Sequence, residues 1–186
     1  MDQKNVEIVV AAKTLIGRYG YAKTTMAEIA KEAGVARQTV YNAFPNKEEI
    51  LRAVVRHYGE EGLTQIKAAW VGCKSLEEKL RTFINLGPLT WFAQVSAAPD
   101  WAELIEGMHR ISAAELRELD KLWVAEFTAI LQKDAKADQA AVNAEELASF
   151  FYTTSKNAKF GVETTAELEA RLNTILAATL ALLKAD

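Results

Sequence analysis

The chain has 186 residues, enough for one or two domains with a sizeable core, and half of its residues are hydrophobic. Its single cysteine, Cys73, excludes an intrachain disulfide, and no spacing of His, Cys, Asp and Glu indicates a metal site or a bound cofactor. The acidic N-terminus is unlike a signal peptide and no run approaches the roughly 20 apolar residues of a membrane span, so we expect a cytoplasmic protein without a membrane partner.

The formal net charge of −3 is unevenly distributed along the chain. Residues 1–58 hold nine Lys or Arg against six Asp or Glu, whereas the remaining residues hold thirteen against nineteen. A basic N-terminal part joined to an acidic remainder is typical of a protein that contacts phosphate at one end only.

Helix starts can be predicted along the whole chain. Few prolines and glycines among many Ala, Leu, Glu and Lys residues indicate an all-α fold. Pairs of Ser, Thr, Asn or Asp with a Glu three residues later form capping boxes, which satisfy free N–H groups at helix starts. Such pairs occur at Thr25/Glu28, Asn46/Glu49, Ser75/Glu78, Asp100/Glu103, Ser112/Glu115, Asn143/Glu146 and Thr164/Glu167. With an N-terminal helix and a short one near Ala36, they predict about nine helices.

The predicted helices cover residues 5–19, 25–33, 37–43, 46–70, 75–97, a short stretch from residue 100, and then 112–133, 144–160 and 165–184. Gly87-Pro88 predicts a kink in the fifth of these, and residues 133–143 read as a surface loop. Gly59 and Gly62 indicate a break or pivot in the fourth helix, or an ordinary irregularity, because glycine is unfavourable inside helices.

Residues 24–51 carry the pattern of a helix-turn-helix. Apolar side chains at Ile29, Ala33, Val35 and Val40 would hold two helices together. Gly34 can take the left-handed conformation that ends the first helix and turns the chain. One face of the second helix is then free to enter a DNA groove.

The start of this second helix carries side chains that suit base edges. Arg37 suits guanine O6 and N7, Gln38 suits adenine N6 and N7, and the Thr39 methyl group can meet a thymine methyl. Thr25 lies at a predicted helix N-terminus, where free N–H groups favour a phosphate. The alternative for Thr25 is that it acts only as a helix cap.

Residues 5–58 resemble the N-terminal domain of the TetR family of transcriptional repressors. The matching positions are Tyr19-Gly20-Tyr21, Thr24-Thr25, Ile29-Ala30, Ala33-Gly34-Val35, Thr39-Val40-Tyr41, Phe44-Pro45-Asn46-Lys47-Glu48-Glu49 and Leu51. The resemblance implies a helix-turn-helix DNA-binding domain over residues 1–46 and an effector-binding and dimerisation domain over residues 47–186.

The resemblance also implies phosphate contacts for Tyr41 and Lys47. The alternatives are that Tyr41 packs on the first helix and that Lys47 is simply solvated. One departure from the family is Ala36, where Ser or Thr is usual. The third helix would then lack its N-cap side chain, which costs about 1 kcal/mol.

The last two helices are expected to form a homodimer interface. Residues 144–160 and 165–184 are unusually apolar, and the stripe of the final helix is wider than one core requires. In relatives, these two helices of each subunit form a four-helix interface. The alternative is that both stripes face the core of their own subunit.

An effector pocket among residues 75–160 is implied by the resemblance. Ligand sites are mostly apolar with a few placed polar groups. The candidate lining residues are Trp91, Phe92, Trp101, His109, Trp123, Phe127 and Asn157. The alternative is that the aromatic residues form an ordinary core.

The leading hypothesis is a ligand-responsive transcriptional repressor that binds a palindromic DNA operator as a homodimer and is released by a small apolar or aromatic effector. The alternative is a DNA-binding regulator of the same fold without a small-molecule switch. An enzyme is not expected, because His57 and His109 lie far apart in the sequence without a nucleophile motif or a phosphate loop.

Overall fold

The computed structural model describes residues 1–96, 109–134 and 142–183, and all regular elements in these ranges are helical. The helices are α1 (Gln3–Tyr19), α2 (Met26–Glu32), α3 (Arg37–Ala43), α4 (Lys47–Trp70), α5 (Leu76–Ile84), α6 (Thr90–Ser96), α7 (Ala113–Asp134), α8 (Ala144–Asn157) and α9 (Thr165–Leu182). The predicted all-α fold and its approximate helix count are confirmed. Most of the helix expected from Asp100 and of the loop expected at 133–143 lies outside the described residues.

Five of the predicted caps form as the sequence indicated. The side chains of Thr25, Asn46, Ser75, Asn143 and Thr164 each accept a hydrogen bond from the backbone N–H of the Glu three residues later, at 2.8–3.3 Å. Asp100/Glu103 lies outside the described residues. These caps are local interactions, which explains why the helix starts could be located from sequence.

Two helix starts differ from the prediction. Ser112 does not cap α7, because its hydroxyl is buried without a hydrogen-bond partner among the described residues. Glu115 instead lies 3.5 Å from the Arg56 guanidinium. At the N-terminus, the Asp2 carboxylate accepts from Asn5 N at 2.8 Å, so α1 begins two residues before its predicted start.

The chain divides into two compact units, which we describe separately. The first unit comprises Met1–Glu61 with Val95–Leu119, and the second comprises Gly62–Gln94 with Asp120–Asp186. These two units are groups of residues that pack together. The boundary predicted after Asn46 is a different division, between DNA-binding and effector-binding residues, and it stays a prediction.

The first unit packs α1, α2, α3 and the start of α4 around one apolar core. Its most deeply buried side chains are Ile8, Val9, Ala12, Ile29, Val40, Ile50 and Leu51. Gly20 ends α1 with φ +82°. Gly34 lies in the turn between α2 and α3 with φ +67°, the left-handed conformation expected there, which glycine adopts without steric cost.

The second unit has an aromatic core. Trp70, Phe83, Trp123, Phe127, Phe151 and Tyr152 pack with ring centroids 4.9–6.5 Å apart. Half of these ten pairs meet edge to face, which suits the ring quadrupoles. In α9, Leu168, Leu172, Leu176 and Thr179 are buried within this unit, so part of the apolar stripe serves the chain's own core.

Proline and glycine act differently in the two long helical stretches. At Gly87-Pro88, α5 passes into α6 through a π-helical segment, Asn85–Leu89. Thr90, the residue after this segment, donates a hydrogen bond from Oγ1 to Asn85 O at 2.7 Å. The predicted break at Gly59 and Gly62 is absent, because α4 continues through both. No helix among the described residues has the length and apolar character needed to cross a bilayer.

Candidate nucleic-acid interface and effector residues

Helix α3 is anchored by one residue and exposes most of the others. Val40 is fully buried in the core of the first unit, whereas Thr39 is half-buried. Arg37, Gln38 and Tyr41 are exposed, with 38% of Tyr41 accessible. Tyr41 is therefore accessible to a partner. Of the three predicted base-reading side chains, Arg37 and Gln38 lie on the solvent face of α3, and Thr39 is partly covered.

Two hydrogen bonds organise the exposed face of α3. Arg37 Nη2 donates to Tyr41 Oη at 3.3 Å, and Gln38 Nε2 donates to Asn42 Oδ1 at 2.8 Å. Both pairs are four residues apart, the spacing at which helical side chains meet. Asn42 was not among the predicted site residues, yet its amide shares this face. The i, i+4 spacing from Gln38 is the sequence signal that could have indicated it.

The start of α3 has no side-chain cap. Ala36 occupies the N-cap position with φ −64° and ψ 143°, and no side-chain hydrogen bond is made there. This is the consequence expected from alanine in place of a hydroxyl residue. The base contacts predicted for Arg37, Gln38 and Thr39 stay a prediction, and residue 36 offers no hydroxyl to support them.

Thr25 is hydrogen-bonded to Glu28, which lies in the first turn of α2. Thr25 N and Thr25 Oγ1 both donate to Glu28 Oε2 at 2.8 Å, and Glu28 N donates back to Thr25 Oγ1 at 3.3 Å. These bonds hold the pKa of the Glu28 carboxyl below its usual value. A carboxylate thus occupies the N-terminal end of α2, where the sequence predicts a phosphate. That phosphate contact stays a prediction and requires Glu28 to move aside.

Lys47 holds the loop between α1 and α2. Its ammonium donates to Tyr21 O at 2.7 Å, Thr24 O at 2.8 Å and Ala22 O at 3.3 Å, and it lies 4.3 Å from the centroid of the Tyr21 ring. Partial burial lowers the pKa of this lysine. All three N–H donors of the ammonium are directed at backbone carbonyls, so the residue positions the loop beside α2. Its predicted phosphate contact stays a prediction.

The predicted effector residues are not all in one place. Trp123 and Phe127 belong to the aromatic core of the second unit, and Phe92 is also buried there. Trp91 is half-buried, and Asn157 is exposed beside a groove of about 540 Å³ between α8 and α9. His109 is exposed and belongs to the first unit, whereas Trp101 lies outside the described residues.

The helix-turn-helix segment of the chain is similar to a known protein family. Residues 8–54, from the middle of α1 to the second turn of α4, match the family model described as bacterial regulatory proteins, tetR family. Residues 8–54 therefore form a DNA-binding domain of the TetR type. The match includes the α2–turn–α3 segment and most of the buried residues that support it.

Curated TetR-family relatives match over part of their length. The HTH-type transcriptional regulator YfiR of Bacillus subtilis is 32% identical over 85 residues, 42% of either chain. The fatty acid metabolism regulator protein of the same organism is 46% identical over 48 residues, 26% of this chain and 25% of that protein. The matched segments therefore span less than half of each relative. Both relatives are named as regulators, in agreement with the expectation that the chain is not an enzyme.

Solved structures extend the similarity in fold to nearly the whole length of the chain. A TetR transcription regulator from Haloarcula marismortui is similar with a TM-score of 0.75 at 19% identity, covering 98% of this chain and 99% of that one. The fatty acid degradation regulator FadR from Bacillus halodurans gives a TM-score of 0.67 at 19% identity, covering 95% and 96%. At such identities the likeness concerns the fold.

Proposed function

We propose that this chain is a transcriptional regulator that binds a palindromic DNA operator as a homodimer. The observation that carries the proposal is the exposed face of α3, where Arg37 and Gln38 project from a helix anchored by the buried Val40. Guanidinium and amide groups are the side chains best suited to guanine and adenine edges in the major groove. A two-fold dimer would place two such helices on successive half-sites.

Selection from a random DNA library tests this proposal. We expect the purified protein to enrich a palindromic sequence whose half-site centres lie about one helical turn apart. Its affinity for that sequence should exceed its affinity for unrelated DNA by about 10³-fold or more at physiological salt. Enrichment of no sequence above the input library, by a protein shown to be folded, would overturn the proposal.

We also propose that a small effector binds within the second unit and releases the protein from DNA. The half-buried Trp91 and the aromatic residues around it support an apolar or aromatic ligand body.

The alternative is a regulator of the same fold without a small-molecule switch. It is favoured by Trp123 and Phe127, which are almost fully buried against other rings and have the packing of an ordinary core. The two functions separate in one assay, in which the operator complex is challenged with candidate effectors. Release at effector concentrations that also stabilise the free protein supports the switch, and a complex insensitive to every bound ligand supports the alternative.

A further inference from the structure

Lys159 presents an unusual cation in the second unit. It follows α8 in the turn before Gly161 and is half-buried. Its Nζ lies 4.0 Å from the centroid of the Trp91 ring and 5.5 Å from that of Phe160. Among the described residues, no carboxylate pairs with it and no acceptor hydrogen-bonds to its ammonium. An aromatic face attracts a cation but leaves most of its N–H donors unused.

The nearby carboxylate is already committed to other groups. Asp120 accepts two hydrogen bonds from Lys156 Nζ, at 2.6 and 2.7 Å, and a third from Tyr152 Oη at 2.8 Å. Asp120 and Lys156 thus neutralise each other. The group formed by Asp120, Lys156 and Lys159 retains one positive charge, located on Lys159.

Burial and the positive charge of Lys156 lower the pKa of Lys159 to about 8, while Asp120 acts in the opposite direction. The ammonium is therefore still mostly charged at pH 7. Desolvated charges are normally paired or hydrogen-bonded, because removal from water is costly otherwise. An anion would supply the partner that Lys159 lacks among the described residues.

We propose that Lys159, held against Trp91, is the head-group subsite for the effector, and that the effector is a small carboxylate with an apolar body. This inference rests on the proposed ligand-responsive function and adds the chemical class of the ligand. The ammonium binds the carboxylate, and the Trp91 ring fixes the ammonium in place. Trp91 was a predicted effector residue, whereas Lys159 was not, because only the folded chain brings the two together.

Calorimetric titration of the full-length protein with matched ligands tests the subsite. The probes are decanoate and 2-naphthoate, each compared with its neutral amide. We expect wild type to bind at least one acid about tenfold more tightly than the amide, the size expected for a hydrogen bond to a charged group. Lys159→Met should remove this preference and Lys159→Arg should largely keep it. Lys133→Met, at an exposed lysine of α7, should leave it unchanged.

Two readouts exclude a purely structural role for Lys159. If the residue binds a ligand, Lys159→Met should not lower the melting temperature of the free protein, because an unpaired desolvated charge is removed. A lower melting temperature with unaltered acid binding would overturn the proposal. So would the binding of neither acid by wild type, or an acid affinity of Lys159→Met equal to that of wild type.

The pH dependence provides an independent check. Carboxylate affinity should be fully present below pH 7 and decline as pH rises through about 8, where Lys159 loses its proton. The charged groups that act on it are Lys156 and Asp120. Tyr152 donates to Asp120, and burial together with Asp120 raises the pKa of Tyr152, so the phenol stays neutral. A carboxylate affinity that does not change between pH 6 and pH 9 would contradict the assignment.

Operator binding by the same proteins separates this inference from the proposed function. If the acids bind through Lys159 but wild type selects no operator, the regulatory function fails and the subsite stands. If wild type selects an operator but neither acid binds, the subsite fails and the DNA-binding function stands.

Discussion

Arg37 and Gln38 are the side chains on which DNA specificity is expected to depend. Both are exposed on α3, and each is bonded to a neighbour four residues along the same face. Such bonds restrict rotamers before DNA arrives, which reduces the entropy lost when the side chains meet base edges. The same face includes Tyr41 and Asn42, which lie one turn further from the start of the helix.

Substitution of Arg37 tests direct base recognition. Arg37→Ala is expected to weaken operator binding by about 1–3 kcal/mol and to affect random DNA much less, because a bidentate contact to guanine is lost. Fluorescence anisotropy at one fixed salt concentration measures both affinities. Arg18→Ala, at an exposed arginine in the last turn of α1, serves as the charge-matched control. Equal losses on operator and random DNA would show that Arg37 reads no base.

Lys47 combines a structural role seen in the fold with a predicted phosphate contact. Lys47→Met is expected to lower the free energy of unfolding by about 1–3 kcal/mol, because three carbonyls lose a charged donor. Chemical denaturation measures this loss, and a variant as stable as wild type would contradict the loop-holding role. Lys23→Met, at an exposed lysine of the same loop, is the control.

The salt dependence of DNA binding isolates the second role of Lys47. A direct phosphate contact predicts that the slope of log affinity against log salt concentration falls by about one in Lys47→Met. An unchanged slope, together with weaker binding to all sequences, would assign Lys47 to positioning of the loop alone.

Helix α4 contains two glycines with different surroundings. A Cβ atom placed on Gly59 would lie 2.2 Å from Leu119 Cδ1, whereas one on Gly62 would meet nothing within 4 Å. Gly59 therefore permits a close approach between α4 and Leu119 within the first unit. Gly62 has no comparable neighbour. The lower helix stability that glycine causes at this position is therefore not offset by closer packing.

Alanine at each glycine of α4 should change stability in opposite directions. Gly62→Ala is expected to raise the free energy of unfolding by about 0.5–1 kcal/mol, because alanine is the better helix former. Gly59→Ala is expected to lower it by about 1–3 kcal/mol, because the buried Leu119 side chain must move. Denaturant titration measures both. The loss at Gly59 should shrink in a Leu119→Ala background, and an equal loss there would place its cause elsewhere.

The proposed dimer uses the outer surface of α8 and α9. Part of the apolar stripe on α9 is buried in its own subunit, yet Phe150 of α8 is 41% exposed and Phe160, shortly after it, is 47% exposed. Large exposed aromatic side chains are typical of interfaces. These two residues therefore support an interface on the helices that the sequence indicated.

Charge introduced at Phe150 tests the proposed interface. Phe150→Glu is expected to weaken dimerisation by about 2 kcal/mol or more, the cost of losing a buried aromatic anchor, without unfolding the subunit. Light scattering across micromolar concentrations measures the assembly. Leu122→Glu, at a leucine of α7 that is 45% exposed, should stay dimeric. A wild-type protein that is monomeric throughout this range would contradict the interface itself.

Local sequence patterns were sufficient to predict the all-α fold, most helix starts, the helix-turn-helix and the exposed Arg37 and Gln38 of α3. These features depend on interactions between residues three or four apart, such as the cap of Glu28 N by Thr25 Oγ1. The cap predicted at Ser112 was wrong. Its hydroxyl is buried and has no hydrogen-bond partner among the described residues.

Tertiary structure alone decided the contacts between residues far apart in the chain. Lys47 reaches a carbonyl 26 residues away, Gly59 admits Leu119, and Lys159 lies on the ring of Trp91. No periodicity or spacing encodes such pairs, because they exist only after helices have packed on their apolar faces. Packing also decided which aromatic residues became core.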